Sequence, residues 1–240
     1  MKFIPDSVIV VGSGGIGGHL IPALSRLISY HSTFNDSTPN VVIIDGDEFE
    51  EHNRTRQIVS PSDLGKNKAE AMSYFCKYQG LTNVEYISDY IDKKEFEKIL
   101  MQYDSPLIIS SVDNDATRKD MIDAINNVFS TNGDFFFISP GNSDGTEEVR
   151  GQVIWYGRID DQKYGIDPSI LYGNLQNPMD VIPRSGTCSA NAPSRPQLIS
   201  ANFMAAAGTL TVVQNLLDNF VQPKNSSFFF NLRTMQTTYS

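Results

Sequence analysis

The chain has 240 residues, 40% of them apolar and 20% charged, and its 19 basic and 28 acidic side chains give a net charge of -9. That is enough apolar material for a sizeable core, and the negative balance argues against nucleic acid as a partner because it repels a polyanion. No apolar run reaches the roughly 20 residues that cross a bilayer, the N-terminus lacks a secretory core, and two cysteines suit a reducing compartment, so a cytoplasmic protein without membrane contact is expected.

The first apolar run, Val8 to Val11, feeds directly into Gly12-Ser13-Gly14-Gly15-Ile16-Gly17. A buried strand followed by such a turn lets phosphate oxygens approach the backbone, with the unpaired N–H groups of the next helix aimed at them. The same glycines also allow a helix simply to pack closely on a strand. His19 to Tyr30 carries apolar residues at helical spacing, and a second strand at 41–45 ends on Asp45, a carboxylate suited to ribose hydroxyls. Asp45 lies farther past the turn than the roughly 20 residues usual for this fingerprint, and the turn-rich Asn35 to Pro39 accounts for the excess.

Farther along, Lys66–Tyr78 and Asp115–Phe129 read as helices and 84–87, 107–112 and 135–139 as buried strands. Beyond Pro140 come a longer strand at Gly151–Arg158, a Gly/Pro/Asn-rich loop over 159–196, a helix from Gln197 to about Phe220, and a final strand at Phe228–Leu232. Alternation of this kind predicts an α/β fold: a Rossmann-like mixed, mostly parallel sheet with helices on both faces and an antiparallel C-terminal extension. One domain over 1–240 is expected, with 1–140 as its nucleotide-binding half and 141–240 as its substrate and dimer side. Cys76 and the Phe228 to Phe230 run are expected in the core.

Several chemistry-bearing elements follow in order: Asp45-Gly46-Asp47, then Asn53 with Arg56-Gln57, then Gly65 with Lys68-Ala69, then Asp113-Asn114. With the glycine turn, this series resembles the ThiF, MoeB and ubiquitin-activating-enzyme superfamily. The stretch containing Thr187-Cys188-Ser189, Gln197 and Asn202 also looks like the PRTRC-type ThiF-like branch. The resemblance implies an ATP-dependent adenylyltransferase that activates a carboxylate, the C-terminus of a ubiquitin-like or sulfur-carrier protein, and works as a homodimer.

By that resemblance Gly12, Gly14, Gly15 and Gly17 form the nucleotide loop, and Asp45 binds ribose. Asp47 and Gln57 line the nucleotide site, Asn53, Arg56 and Lys68 hold phosphates, and Asp113 holds Mg2+. Bringing two anions together while pyrophosphate leaves calls for fixed cations, and that independently suits Arg56, Lys68 and an Asp-bound magnesium ion. Each also has a plainer reading. Arg56 and Lys68 pair with neighbouring carboxylates as surface charges, and Asp113 caps the helix from Asp115. Cys188 is either an acyl-accepting nucleophile or an ordinary loop thiol.

Departures from the family pattern are the lack of an arginine-bearing N-terminal arm, since the first strand begins by Ser7, and Ser110 where an acidic residue is common. Arg54, Arg118, Arg150 and Arg158 are candidate replacements for the arm. The paired Cys-x-x-Cys motifs are missing, so zinc is not expected, and the three histidines are assigned no role. Two other functions remain open, a NAD(P)- or flavin-binding oxidoreductase and a non-catalytic ThiF-like partner subunit.

Overall fold

The computed structural model describes residues 3–34, 38–80, 83–142, 149–180, 198–219 and 226–240. β1 (Ser7–Val11), β2 (Asn40–Ile44), β3 (Val84–Ile87), β4 (Pro106–Ser110) and β5 (Phe135–Asn142) form a parallel sheet in the order β3-β2-β1-β4-β5. Their β-branched and aromatic side chains alternate between two cores, as strands covered on both faces must. Val8, Val10, Ile43 and Ile109 face α1 (Gly15–Ser32), α2 (Lys68–Tyr78) and the later α7 (Ile199–Leu217). Ile9, Val11, Ile44 and Ile108 face α3 (Lys93–Leu100) and α4 (Asp115–Val128).

Helix starts are set by local caps. Asn67 accepts from the Glu70 N–H, Asp92 and Glu95 form a reciprocal capping box, and Asn114 accepts from the Thr117 N–H. Asn114 rather than Asp113 is therefore the cap of α4, and the plainer reading of Asp113 falls.

From β5 onward the sheet turns antiparallel. β6 (Arg150–Ile159) pairs β5 along its length, then β7 (Gln162–Gly165) at one end and β8 (Ser227–Asn231) at the other, with β9 (Gln236–Tyr239) outside β8. Phe228 and Phe230 are buried, and Cys76 is fully buried. The expected loop at 159–196 is corrected in its first part, which holds β7 and two one-turn helices, α5 (Pro168–Leu171) and α6 (Gly173–Gln176). Asn126 donates to Asp167 at 2.7 Å and Asn174 to Asp115 at 2.8 Å, tying this segment to α4. Polar composition hid these turns because side-chain hydrogen bonds, not apolar periodicity, hold them. Cys188 and Asn35 to Ser37 lie outside the described residues. Among the described residues no helix is long and apolar enough to cross a membrane.

Candidate nucleotide site

β1 and β4 are neighbours, yet the chain leaves β1 for α1 on one face and β4 for α4 on the other, which opens a crevice at their carboxyl ends. Ser111 closes its floor by donating its N–H to the Val11 carbonyl at 2.8 Å and its hydroxyl to the carbonyls of Val11 and Gly12. Gly12 has φ +92° and a Cβ there would lie 2.7 Å from the Ser111 carbonyl oxygen, while a Cβ on Gly17 would lie 2.1 Å from the Gly12 oxygen. Those two glycines are demanded by packing. Gly14 differs, since the nearest atom to a Cβ there is Gln57 Nε2 at 3.6 Å. Gly15 begins α1, whose first turn carries no acidic residue, so its N–H groups keep their partial positive charge.

Asp45 faces the turn. Its Oδ2 accepts from the Ser13 N–H at 2.6 Å and the Ser13 hydroxyl at 2.9 Å, and its Oδ1 accepts from the Asp47 N–H at 2.9 Å. Burial pushes its carboxyl above the usual range, against the opposing pull of Lys68. Asp47 is held by Lys68 Nζ at 2.9 Å and by the Tyr90 hydroxyl. Burial alone would raise Asp47, but the charge and hydrogen bond of Lys68 outweigh it and bring the carboxyl below its ordinary value. The Lys68 side chain is only 9% exposed against 41% for Asp47, so the cation is the buried member. Tyr90 packs its ring on Gly46, where a Cβ would meet it at 2.5 Å, and burial followed by the Asp47 hydrogen bond raises its phenol well above normal. The charges of Asp45 and Asp113 push that phenol in the same direction.

Arg56 and Gln57 approach from the other side. Gln57 packs at Gly14, and the Arg56 backbone faces the ring of His19 on α1. Arg56 is half-buried with no side-chain partner among the described residues, and Asp113 is exposed and equally unpaired. The pairing expected as the plainer reading therefore applies to Lys68 and not to Arg56. Asn53 is buried, its Oδ1 accepting from the Glu50 N–H at 2.9 Å and its Nδ2 lying 3.1 Å from His52 Nε2, so it caps the 3-10 turn at Glu51–Thr55. Of the four arginines considered as replacements, Arg54 pairs Glu51 at 2.6 Å, and Arg158 donates to the Phe129 and Gly133 carbonyls at the N-terminal end of β5, away from the crevice. Arg118 lies beside the crevice but is drawn inward by the Val112 and Pro140 carbonyls.

The model of the ThiF family matches residues 5–236. The chain belongs to the ThiF family. Comparison with curated proteins gives no significant match. Among solved structures, E. coli MccB with ATP superposes with a TM-score of 0.66 at 20% identity, and MccB with AMPCPP and MccA with 0.65 at 18%. PaaA gives 0.62 at 16%. Each alignment takes in 98% of this chain and 63% of the other, so this ThiF-family chain spans less than two thirds of their length. At these identities the likeness establishes the shared mixed α/β fold.

Sequence reasoning missed three members of the site in this ThiF-family chain. Ser13 and Ser111 stand inside or beside quoted motifs, but serine carries no distinctive signal there. Tyr90 belongs to no motif. Its position just beyond β3, whose end shares the crevice edge, is the one clue that points to it.

Proposed function

We propose that this ThiF-family chain is an ATP-dependent adenylyltransferase that activates the carboxylate at the C-terminus of a peptide or small protein, with a ubiquitin-like or sulfur-carrier tail as its substrate class. One observation carries the reading: Arg56 and Asp113, a cation and a carboxylate without partners among the described residues, stand at the glycine turn, Arg56 next to the Gln57 that meets Gly14 and Asp113 two residues past the Ser111 that meets Gly12 and Gly17. Water solvates the half-buried Arg56 and the exposed Asp113 in the free protein, so both stand available to a ligand. The MccB structures, whose reported complexes include ATP, AMPCPP and N-formylated MccA, support a nucleotide and a peptide as the two reactants.

In this reading Gly12, Gly14, Gly15 and Gly17 cradle the phosphates with backbone N–H groups, and Asp45 takes the ribose through the acceptor capacity that Ser13 and Asp47 leave. The substrate carboxylate attacks the α-phosphorus, an acyl adenylate forms, and pyrophosphate leaves. Arg56 and Lys68 stabilise the charge that grows on the leaving group, while Asn53, its amide engaged with Glu50 and His52, braces the turn that carries Arg56, and Asp47 and Gln57 hold Lys68 and the glycine turn in place. One exposed carboxylate together with phosphate oxygens is a sufficient ligand set for magnesium, so Asp113 fits the ion, which would screen the phosphates. Cys188 is assigned the acyl acceptor, its thiolate displacing AMP to give a thioester.

Calorimetry tests the reading against a dinucleotide-binding oxidoreductase. The chain should bind ATP with magnesium and ignore NAD, and Arg56→Ala should weaken ATP. Tight NAD binding with no response to ATP would overturn it. A homodimer is part of the proposal, and a monodisperse monomer by light scattering at high concentration would remove it.

A further inference from the structure

Beside the crevice, where α4, β5 and β6 meet the segment holding α6, lies a cavity of about 50 Å³ lined by Arg118, Asp115, Gly141, Gln152, Asn174 and Leu175 among others. We infer that this cavity seats a neutral amide group of the peptide whose terminal carboxylate is activated, and so selects the substrate. The inference rests on the adenylation reading above and adds to it the chemistry of the group next to the reacting one.

The lining fits that guest and resists others. Arg118 spends one nitrogen on the carbonyls of Val112 and Pro140, at 2.6 and 3.1 Å, and another on Asp115 at a long 3.4 Å, while its buried Nε has no partner among the described residues. That Nε has no accessible surface, so a guest meets instead the terminal nitrogens Nη1 and Nη2, the pair that faces Gly141. The charge of Arg118 is already balanced by Asp115, with Asp113 and Asp180 also acting on it. A carboxylate guest would meet Asp115 in the lining and a cationic guest would meet Arg118. A neutral group that both accepts and donates satisfies Arg118 together with Asp115 or the cavity carbonyls. The volume admits roughly three to five water-sized groups, the size of an amide and not of a large side chain.

Location supplies the link to the reaction. Arg118 grips the carbonyl of Val112, the residue before Asp113, so a guest here lies next to the proposed magnesium carboxylate. Gly141 keeps the space open. A Cβ on it would meet Arg118 Nη2 at 3.7 Å, Nη1 at 3.9 Å and Gln152 Cγ at 4.0 Å, which is ordinary contact, so a methyl there is tolerated and takes up cavity space.

Gly141→Ala is therefore the decisive variant. Short fluorescent peptides ending in Gly-Gly, whose last backbone amide no side chain shields, in Asn, which offers a side-chain amide, in Asp and in Leu are titrated into wild type and G141A by anisotropy, with ATP binding measured in parallel. The expected result is that Gly-Gly or Asn peptides bind at least about tenfold tighter than Asp or Leu peptides, and that G141A weakens the preferred peptide about tenfold while ATP affinity and melting temperature hold. Which of the two amide peptides wins names the source of the amide. No discrimination among peptides, no binding of any at millimolar concentration, or an unchanged G141A makes the cavity a water-filled space and overturns the inference. Loss of ATP binding by the wild-type protein would instead strike the adenylation reading.

Discussion

Gly14 and Gly17 sit three residues apart in one turn and should fail in opposite ways. A methyl on Gly17 arrives 2.1 Å from the Gly12 carbonyl oxygen, about 1 Å inside van der Waals contact with backbone that has no rotamer to yield, and 2.9 Å from Ser111 Oγ. Overpacking of that kind costs about 1–3 kcal/mol, and rigid neighbours put it at the upper end, a drop of about 5–10 °C in Tm for a chain of this size. A methyl on Gly14 meets only Gln57 Nε2 at 3.6 Å, so stability should stay within about 1 kcal/mol of wild type. It does, however, occupy the approach to the backbone, and ATP affinity should fall by at least about tenfold. Differential scanning fluorimetry and calorimetry on the two variants read the two quantities separately. A Gly14→Ala protein that binds ATP like wild type would refute the phosphate-cradle reasoning and leave the turn as a packing device.

Lys68→Met should strip Asp47 of its balancing charge, raise the Asp47 carboxyl as burial takes over, and destabilise the fold by about 1–2 kcal/mol; the penalty is less than for a fully buried pair because Asp47 is 41% exposed and solvent takes up part of the loss. Urea melts at neutral pH check it, and the addition of Asp47→Asn should recover most of the loss. His19, stacked on Phe203 at 3.9 Å, has its pKa lowered from 6.5 by burial, so the fold binds its proton less well than the unfolded chain and loses stability as pH falls below 6.5. His19→Phe keeps the stack and should flatten that part of the pH profile, and an unchanged slope would exclude His19 as the cause. Cys188→Ser should leave pyrophosphate exchange intact while abolishing any thiol-sensitive acyl-enzyme on a gel; an acyl-enzyme that persists would remove Cys188 from the pathway.

The parallel half of the sheet was legible because its strands are short, β-branched and buried on both faces, and the alternating helices carry apolar stripes. α3 escaped notice since it buries only Phe96 and Leu100 and owes its start to the Asp92–Glu95 box. β9 is polar and wholly exposed, an edge strand without an alternating pattern. In the site, motif order picked out Asp45, Asp47, Lys68 and Asp113, which the fold draws to one edge. It did not show that Asp47 and Lys68 bind each other, or that Asn53 is spent on a cap, because such pairings depend on tertiary distances. Nor could spacing reveal Tyr90, which reaches Asp47 from a different loop, or separate Arg118 from three other arginines.

The convergence of Arg56, Lys68 and Asp113 on one triphosphate is tested most directly by a structure of the protein with a non-hydrolysable ATP analogue and magnesium. The β- and γ-phosphates should lie within about 4 Å of the Arg56 guanidinium and the Lys68 ammonium, with Asp113 on the metal. A nucleotide seated away from the glycine turn, or one that leaves these side chains facing solvent, would contradict the assignment.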